Sequence, residues 1–236
     1  MLLDFPNQNT VVHTWKYDLN AFELDVVNIQ KSLSVEETER ANRFFNPRDK
    51  KRYLLVHYFL RDVLSKYQKN ISKETIEFYK GIHLKPYLQQ QQDEQPLYFN
   101  LSYREDYAIV AISNSDVLGV DVEKIKPLEN IKNFITTFFS IEEQQLILQQ
   151  PTEQERLAIL FRFWTIKESI IKALGVGFEL PLINYNVSEF IKNTSAYPHF
   201  NSTDKWYICP IEMNDTYKAS FAVKTNTLNY SIFNYE

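Results

Sequence analysis

The chain has 236 residues, of which 44% are hydrophobic and 15% aromatic, so it can bury one large core or two small ones. Its 26 basic and 30 acidic side chains leave a formal charge of -4, which excludes a strong overall field that would attract nucleic acid or an anionic membrane. A single cysteine, Cys209, excludes an internal disulfide framework and a cysteine-rich zinc site, as is typical of a reducing compartment.

The N-terminal segment lacks the features of a secretory signal. It contains Asp4 and Pro6 where such a signal needs positive charge followed by a long apolar stretch. No apolar run reaches the roughly 18 residues that a membrane-spanning helix requires. We therefore expect a cytoplasmic protein that binds neither membrane nor nucleic acid.

Two helices are predicted in the first third of the chain. Ser34 followed by Glu37 forms a capping box, which predicts the start of the first helix. The pair Asn46 and Pro47 interrupts the helical pattern, and a second helix is predicted from Asp49 to about residue 69.

Short strands are predicted next. Residues 76–79 form one strand candidate, and the low-complexity polar stretch 88–96 predicts an exposed loop. Residues 107–112 and 117–122 predict two strands joined by the polar turn 113–116. The strand 107–112 is apolar at nearly every position, so we expect it to be buried on both faces.

A third long helix is predicted from about residue 152 to 174, with Gly175 as its C-terminal stop. Short alternating strands follow, including residues 206–209 and 217–223. The order of elements predicts an α+β fold of two similar halves, residues 1–116 and 117–236, although the two halves share no evident sequence repeat.

Two carboxylates follow each other on the strand 117–123. Side chains alternate between the faces of a strand, so Asp121 and Glu123 project on the same side, about 7 Å apart. They repel each other unless a cation or a proton lies between them. Mg²⁺ is the natural cation, because it binds one or two carboxylates together with substrate phosphates. The alternative is an edge strand with two solvated acids.

The third long helix contains a carboxylate within an apolar stripe. At the helical period this stripe consists of Leu157, Phe161, Trp164, Glu168 and Ile171. A carboxylate in such surroundings needs compensation. Lys172, one turn after Glu168, is the nearest source and a metal ion is the second, whereas the alternative is a plain ion pair on a helix face.

Residues 119–123 (GVDVE) and 164–175 (WTIKESIIKALG) are similar to the two signature motifs of the 4'-phosphopantetheinyl transferase superfamily, in order and in separation. The chain further resembles the type that activates nonribosomal peptide synthetases. This similarity lies in residues 43–44, 52–61, 85–87, 99–102, 138–140 with Glu143, and 175–182, so it spans most of residues 34–190.

The resemblance implies a pseudo-symmetric monomer with coenzyme A and Mg²⁺ in the cleft between two α+β halves. By position in the motifs, it implies the following roles: Asp121, Glu123 and Glu168 as magnesium ligands, Lys172 on the phosphates, Glu168 or Glu143 as proton acceptor, and Arg43, Arg52, Lys85, Pro86 and Ser102 around coenzyme A. The implied reaction transfers phosphopantetheine to a serine of an acyl or peptidyl carrier protein of fatty acid, polyketide or peptide synthesis, and releases adenosine 3',5'-bisphosphate.

One position departs from the family. Similar proteins usually have histidine after the serine, whereas this chain has Tyr103. A tyrosine cannot make the same cationic contact with the 3'-phosphate of coenzyme A, although its hydroxyl can donate a hydrogen bond.

Two other functions are weighed against this one. A metal-dependent nuclease could use the same acids, but such enzymes present a basic stripe that this chain lacks near the acidic motifs. A non-catalytic coenzyme A or carrier-binding relative is favoured only by Tyr103. Residues 124–128, followed by Phe134, Phe138 and Phe139, could dock an acidic carrier helix, although the three phenylalanines are equally consistent with a helix core.

Overall fold

The fold is described from a computed structural model, which covers residues 9–21, 26–69, 71–81, 85–90, 95–177, 180–192 and 205–235. In chain order the elements are β1 (Thr10–Asp18), α1 (Val26–Lys31), α2 (Val35–Asn42), α3 (Pro47–Ser65), a 3-10 turn (Lys73–Thr75), β2 (Phe78–Lys80), β3 (Pro86–Leu88), β4 (Tyr98–Arg104), β5 (Tyr107–Ser113), β6 (Leu118–Lys124), α4 (Ile131–Phe138), α5 (Ile141–Leu148), α6 (Glu153–Leu174), a 3-10 turn (Leu182–Asn184), α7 (Glu189–Lys192), β7 (Trp206–Ile211), β8 (Tyr217–Lys224) and β9 (Leu228–Asn234). This order confirms the α+β class.

The strands form three sheets. The first has the order β4-β5-β1-β9, the second pairs β2 with β3, and the third has the order β6-β8-β7. All pairs are antiparallel except β1 and β9, which run parallel, with Val12 opposite Tyr230. The last strand of the chain therefore returns to the sheet of the first half, while the remainder of the second half forms its own sheet.

The helix boundaries follow the signals in the sequence. The capping box at Ser34 and Glu37 starts α2, as predicted. Helix α3 begins at Pro47, two residues before the predicted start at Asp49, and ends at Ser65 instead of near residue 69. Thr152 caps α6, and Gly175 ends α6 in the left-handed conformation, with a φ of 68°. A residue without a β-carbon adopts this φ at little cost, so Gly175 stops the helix.

The core has three parts. In the first, α3 packs on the four-stranded sheet through residues such as Phe59. In the second, Phe163 on α6 and Ile208 on β7 belong to one buried cluster. The third lies between the two large sheets and contains Ile109 of β5 and Val120 of β6. β5 is thus buried on both faces, as its apolar sequence predicts.

Several elements were not predicted, including β1, β9 and α5, whereas a helix at the position of α4 was one of two alternatives. The exposed loop expected at 88–96 falls partly outside the description, because residues 91–94 are not covered. The division at residues 116 and 117 and the pseudo-symmetry of the halves stay predictions. Within the described helices, none is both long and apolar enough to cross a membrane.

Candidate active site

The candidate site lies where β4 of the first sheet meets β6 of the second. The two strands are joined by side chains, since the Val120 N–H donates to Asn100 Oδ1 (2.9 Å) and the Val122 N–H donates to Ser102 Oγ (3.2 Å). Asn100 and Ser102 lie two residues apart, so both project from β4 towards β6. These bonds fix the acidic strand against the first half.

On its other side, β6 packs closely on α6. A β-carbon at Gly119 would collide with the Ser169 carbonyl oxygen and the Ala173 amide nitrogen of α6. Only glycine allows the two backbones to approach this closely. The approach places Asp121 within reach of side chains on α6.

Asp121 is held by two hydrogen bonds to one of its oxygens. It is 3% exposed, and its Oδ1 accepts from Ser102 Oγ (3.0 Å) and from Lys172 Nζ (2.7 Å). Lys172 Nζ also donates to Ser102 Oγ (2.9 Å). The other oxygen, Oδ2, is buried and has no hydrogen-bond partner among the described residues.

Glu168 is the second buried acid of the site. It is 9% exposed, and its buried Oε1 accepts no hydrogen bond from the residues that the structure describes. Burial, and then the negative charge of Asp121, raise the pKa of Glu168 to about 7. The predicted acid within the apolar stripe of α6 thus lies beside the acidic strand, as required for a shared site.

Glu123 lies at the more open end of the same strand. Burial, and then the Asp121 charge, raise the pKa of Glu123, while the positive charge of Arg104 opposes this shift. Arg104 Nε forms an ion pair with Glu123 Oε2 at 3.1 Å. Arg104 was missed by the sequence analysis, although its position two residues after Ser102 on β4 places it on the same face.

The residues of this pocket fit a divalent cation in their chemistry. Asp121 Oδ2 and Glu168 Oε1 are buried oxygens without partners, and an uncompensated buried polar atom costs about 1–3 kcal/mol. In the described part of the chain, however, no group of three such side chains already stands in a metal-binding arrangement. Lys172 occupies one oxygen of Asp121, and Arg104 pairs with Glu123.

Glu143, the second candidate for the proton acceptor, has its carboxylate bonded to neighbouring groups of the fold. Glu143 is fully buried, and its carboxylate accepts from the backbone N–H groups of Ser140 (2.7 Å) and Val187 (2.7 Å). It also forms an ion pair with Lys167 Nζ at 2.8 Å, which is likewise fully buried. Its oxygens are therefore committed to joining α5, α6 and the segment near Val187, and Glu168 remains the acid available in the pocket.

Lys85, predicted as a coenzyme A ligand, contacts backbone carbonyls. Its Nζ donates to the carbonyl oxygens of Leu118 (3.2 Å), Ala173 (3.1 Å) and Asp116 (3.5 Å). Burial lowers the pKa of Lys85 to about 8. Lys85 thus ties the first half to β6 and to the last turn of α6, while the adjacent Pro86 is exposed on β3.

Two neighbouring cavities contain most of the other predicted ligands of coenzyme A. One, of about 350 Å³, is lined by Phe44, Asp49, Arg52, Tyr103, Arg104 and Glu105. The other, of about 460 Å³, is lined by Glu36, Arg40, Arg43, Phe44 and Lys80. The structure thus brings Arg52 and Tyr103 together and places Arg43 beside them across Phe44.

The aromatic segment after β6 packs in part against α6. Phe139 is fully buried, and Phe134 and Phe138 pack on Trp164 with ring centroids 4.9 Å and 5.3 Å apart. Phe139 thus belongs to the core, whereas Phe134 and Phe138 are half-buried, and Ile141 at the start of α5 is 70% exposed.

The fold and the site define the class of protein. Buried carboxylates beside lysine and arginine, next to cavities that contain further arginines, are typical of enzymes that act on phosphate groups with the help of a metal ion. The site lies between two α+β halves and draws its acids and its lysine from the second half.

Comparisons with known families agree with this class. Residues 13–115 match the family model described as 4'-phosphopantetheinyl transferase, N-terminal, and residues 117–224 match that of the 4'-phosphopantetheinyl transferase superfamily. The chain belongs to this superfamily and is an enzyme of the 4'-phosphopantetheinyl transferase class.

Individual relatives support the assignment. The 4'-phosphopantetheinyl transferase HetI of Nostoc sp. strain PCC 7120 is 32% identical over 166 residues, which cover 70% of this chain and 69% of the relative. The 4'-phosphopantetheinyl transferase Sfp of Bacillus subtilis strain 168 is 31% identical over 79% of this chain and 80% of its own length. The 4'-phosphopantetheinyl transferase gsp of Aneurinibacillus migulanus is 30% identical over 85% and 81%.

Proposed function

We propose that this enzyme transfers the 4'-phosphopantetheine group of coenzyme A to a serine hydroxyl of an apo acyl or peptidyl carrier protein in a Mg²⁺-dependent reaction. The serine oxygen forms a bond to the phosphorus that carries the pantetheine. The bond from this phosphorus to the oxygen of the adenosine 3',5'-bisphosphate breaks, so the products are the holo carrier protein and adenosine 3',5'-bisphosphate.

The observation that carries this proposal is a pair of buried oxygens in a member of this superfamily. Asp121 Oδ2 and Glu168 Oε1 have no hydrogen-bond partner within the described part of the chain. Asp121, Glu123 and Glu168 would hold Mg²⁺. When bound, the metal ion supplies positive charge that stabilises the negative charge on the pyrophosphate.

The chain's own side chains would do the remaining work. Lys172 lies 2.7 Å from Asp121 and is partly exposed, so its ammonium can also reach a phosphate and stabilise charge on the leaving group. Ser102 holds both Asp121 and Lys172 and so keeps their geometry. Glu168 would accept the proton of the carrier serine, directly or through water, with a carboxylate oxygen that does not bind the metal ion.

The test is transfer of a fluorescent coenzyme A to a panel of apo carrier proteins, with and without Mg²⁺, read by gel and by intact mass. We expect a metal-dependent mass gain on a carrier serine. Glu168→Gln should abolish the transfer while the protein stays folded, as judged by its melting temperature. A Glu168→Gln variant with full activity would contradict the role of Glu168.

The same assay separates the second candidate, a non-catalytic binder of coenzyme A, which only Tyr103 favours. That candidate predicts measurable binding of coenzyme A without label on any carrier. Retention of Asp121, Glu168 and Lys172 in one pocket argues for turnover.

A further inference from the structure

Arg104 is the last of three side chains that β4 directs towards β6. Asn100, Ser102 and Arg104 alternate along the strand, and each contacts β6 or one of its side chains. The first two are buried, whereas the Arg104 side chain is 41% exposed. Arg104 thus lies at the solvent-exposed edge of the pocket, at the end of the contact between β4 and β6.

The ion pair between Arg104 and Glu123 has a geometry that allows each side chain to take another partner. It is a single approach of Nε to Oε2 at 3.1 Å, and not the bidentate pairing that holds an arginine firmly on a carboxylate. Both side chains retain solvent exposure, 41% for Arg104 and 19% for Glu123. A partly exposed pair of this geometry contributes little to stability.

Two cations therefore neutralise two of the three acids in the metal-free pocket. Lys172 pairs with Asp121 at 2.7 Å, and Arg104 pairs with Glu123 at 3.1 Å. A divalent cation that binds these carboxylates must compete with both side chains. Any positive side chain displaced in this way becomes available to an anion nearby.

Arg104 also lies beside a cavity in which it could bind an anion. It lines the cavity of about 350 Å³ that also contains Arg52, Tyr103 and Phe44. Arg52 already forms an ion pair with Asp106 at 3.3 Å. Among the described residues, the only polar contact of the Arg104 side chain is its ion pair with Glu123. An arginine at this position can pair with a phosphate through several N–H donors.

We infer that Arg104 is a substrate-binding residue with two alternative partners: Glu123 in the metal-free enzyme, and a phosphate group of the substrate in the adjoining cavity once Glu123 binds the metal ion. The exchange links the binding of the metal ion to the binding of coenzyme A. This inference rests on the proposed function, and it adds a phosphate ligand that the sequence motifs do not contain.

The test compares the wild type with Arg104→Gln in two binding measurements. Mn²⁺, as a spectroscopic probe, is titrated into the metal-free protein and free Mn²⁺ is read by electron paramagnetic resonance. Coenzyme A is titrated calorimetrically in saturating Mg²⁺. We expect Arg104→Gln to bind Mn²⁺ at least threefold more tightly and coenzyme A at least threefold more weakly.

A purely structural role would not move the two affinities in opposite directions. Arg104→Lys should restore part of the coenzyme A affinity, because it keeps the charge. Lys126→Gln is the matched control, since the charge of Lys126 also acts on Glu123 but no ion pair joins them among the described residues. It should weaken coenzyme A binding less than Arg104→Gln does.

The outcomes separate this inference from the proposed function. If the wild type binds Mn²⁺ and coenzyme A but Arg104→Gln leaves either affinity unchanged, the inference is overturned alone. If the wild type binds no Mn²⁺, the metal-dependent function and the inference both fall.

Discussion

Lys172 Nζ lies 2.7 Å from Asp121 Oδ1, across the junction between α6 and β6, and Ser102 Oγ bridges the two at 2.9 Å and 3.0 Å. The three side chains come from three different elements, of which β4 belongs to the other sheet. This triangle joins the two halves of the enzyme at the point where the acids gather. Loss of one of these hydrogen bonds should therefore reduce transfer activity more than it reduces the stability of the fold.

Ser102→Ala should lower kcat/KM by roughly 10- to 100-fold, because a hydrogen bond to a charged group is worth about 1.5–3 kcal/mol. The measurement is steady-state transfer of labelled coenzyme A to a carrier protein, together with the melting temperature. Ser220→Ala is the control, since Ser220 is also buried but donates only to Ser169 Oγ at 3.4 Å. Equal losses in the two variants would contradict this role of Ser102.

The closeness of β6 and α6 leads to a second prediction. Gly119→Ala would place a β-carbon against the backbone of Ser169 and Ala173, which cannot rotate away. Overpacking of this kind costs about 1–3 kcal/mol. A shift of about 1 Å can reduce a rate by roughly 100-fold. The loss of transfer activity should therefore be larger than the loss of folded protein would explain.

Urea unfolding and transfer kinetics would test this prediction. Gly81→Ala is the matched control, because the added carbon meets only the ring of Tyr87, a side chain that can move. If Gly119→Ala and Gly81→Ala have the same stability and activity, then the close approach at Gly119 has no functional consequence.

A buried network in the first half should give a pH-dependent stability. Burial favours the neutral form of Glu37, but hydrogen bonds from His57 and the Ser34 N–H and the charge of Arg61 outweigh it and lower the pKa of Glu37 to about 2. A lowered carboxyl pKa contributes stability above the unfolded value near 4.5, and this stability is lost as the pH falls towards 2.

Comparison with Glu37→Gln isolates this contribution, because glutamine does not titrate. The difference in free energy of unfolding should fall by about 2 kcal/mol between pH 5.5 and pH 3. The exposed neighbour Glu36, paired with Lys80 at 2.9 Å, provides the control, since solvent screens such a pair. A difference that does not change with pH would show that Glu37 titrates normally.

The strand and helix periods in the sequence predicted which acids of the site share a face of β6 or lie in the apolar stripe of α6. The alternation of β6 placed Asp121 and Glu123 on one face, and the helical period of α6 placed Glu168 in an apolar stripe. The same type of reasoning could have predicted the hydrogen bonds of Glu143, because Ser140 and Glu143 have the spacing of a capping box, as Ser34 and Glu37 do. Such a glutamate is committed to the helix N-terminus.

Contacts between distant segments could not be predicted in this way. The pairing of β1 with β9 joins residues more than 200 positions apart, and neither strand contains a signal for its partner. The carbonyl contacts of Lys85 likewise depend on how the halves meet, because Asp116, Leu118 and Ala173 converge only in the folded chain. Motif similarity identified Lys85 but not these contacts.

The tyrosine at position 103 allows a test of how this chain binds coenzyme A. Tyr103 is 42% exposed and lines the cavity with Arg52, so a histidine there would face the same space. Under the proposed function, the imidazole introduced by Tyr103→His carries a positive charge at pH values below the ordinary histidine pKa of about 6.5. We expect its coenzyme A affinity at pH 6 to exceed that of the wild type by roughly two- to fivefold, as a partly exposed charge pair is worth at most about 1 kcal/mol.

At pH 8 this advantage should disappear, because the imidazole is then neutral and the net gain is only a hydrogen bond that the tyrosine can also donate. Calorimetric titrations of both proteins at both pH values correct for titration of the ligand's own phosphates, which affects each protein equally. Tyr103→Phe, measured alongside, reports what the hydroxyl contributes. A Tyr103→His variant whose affinity relative to the wild type is the same at pH 6 and pH 8 would show that no phosphate of coenzyme A lies next to this position.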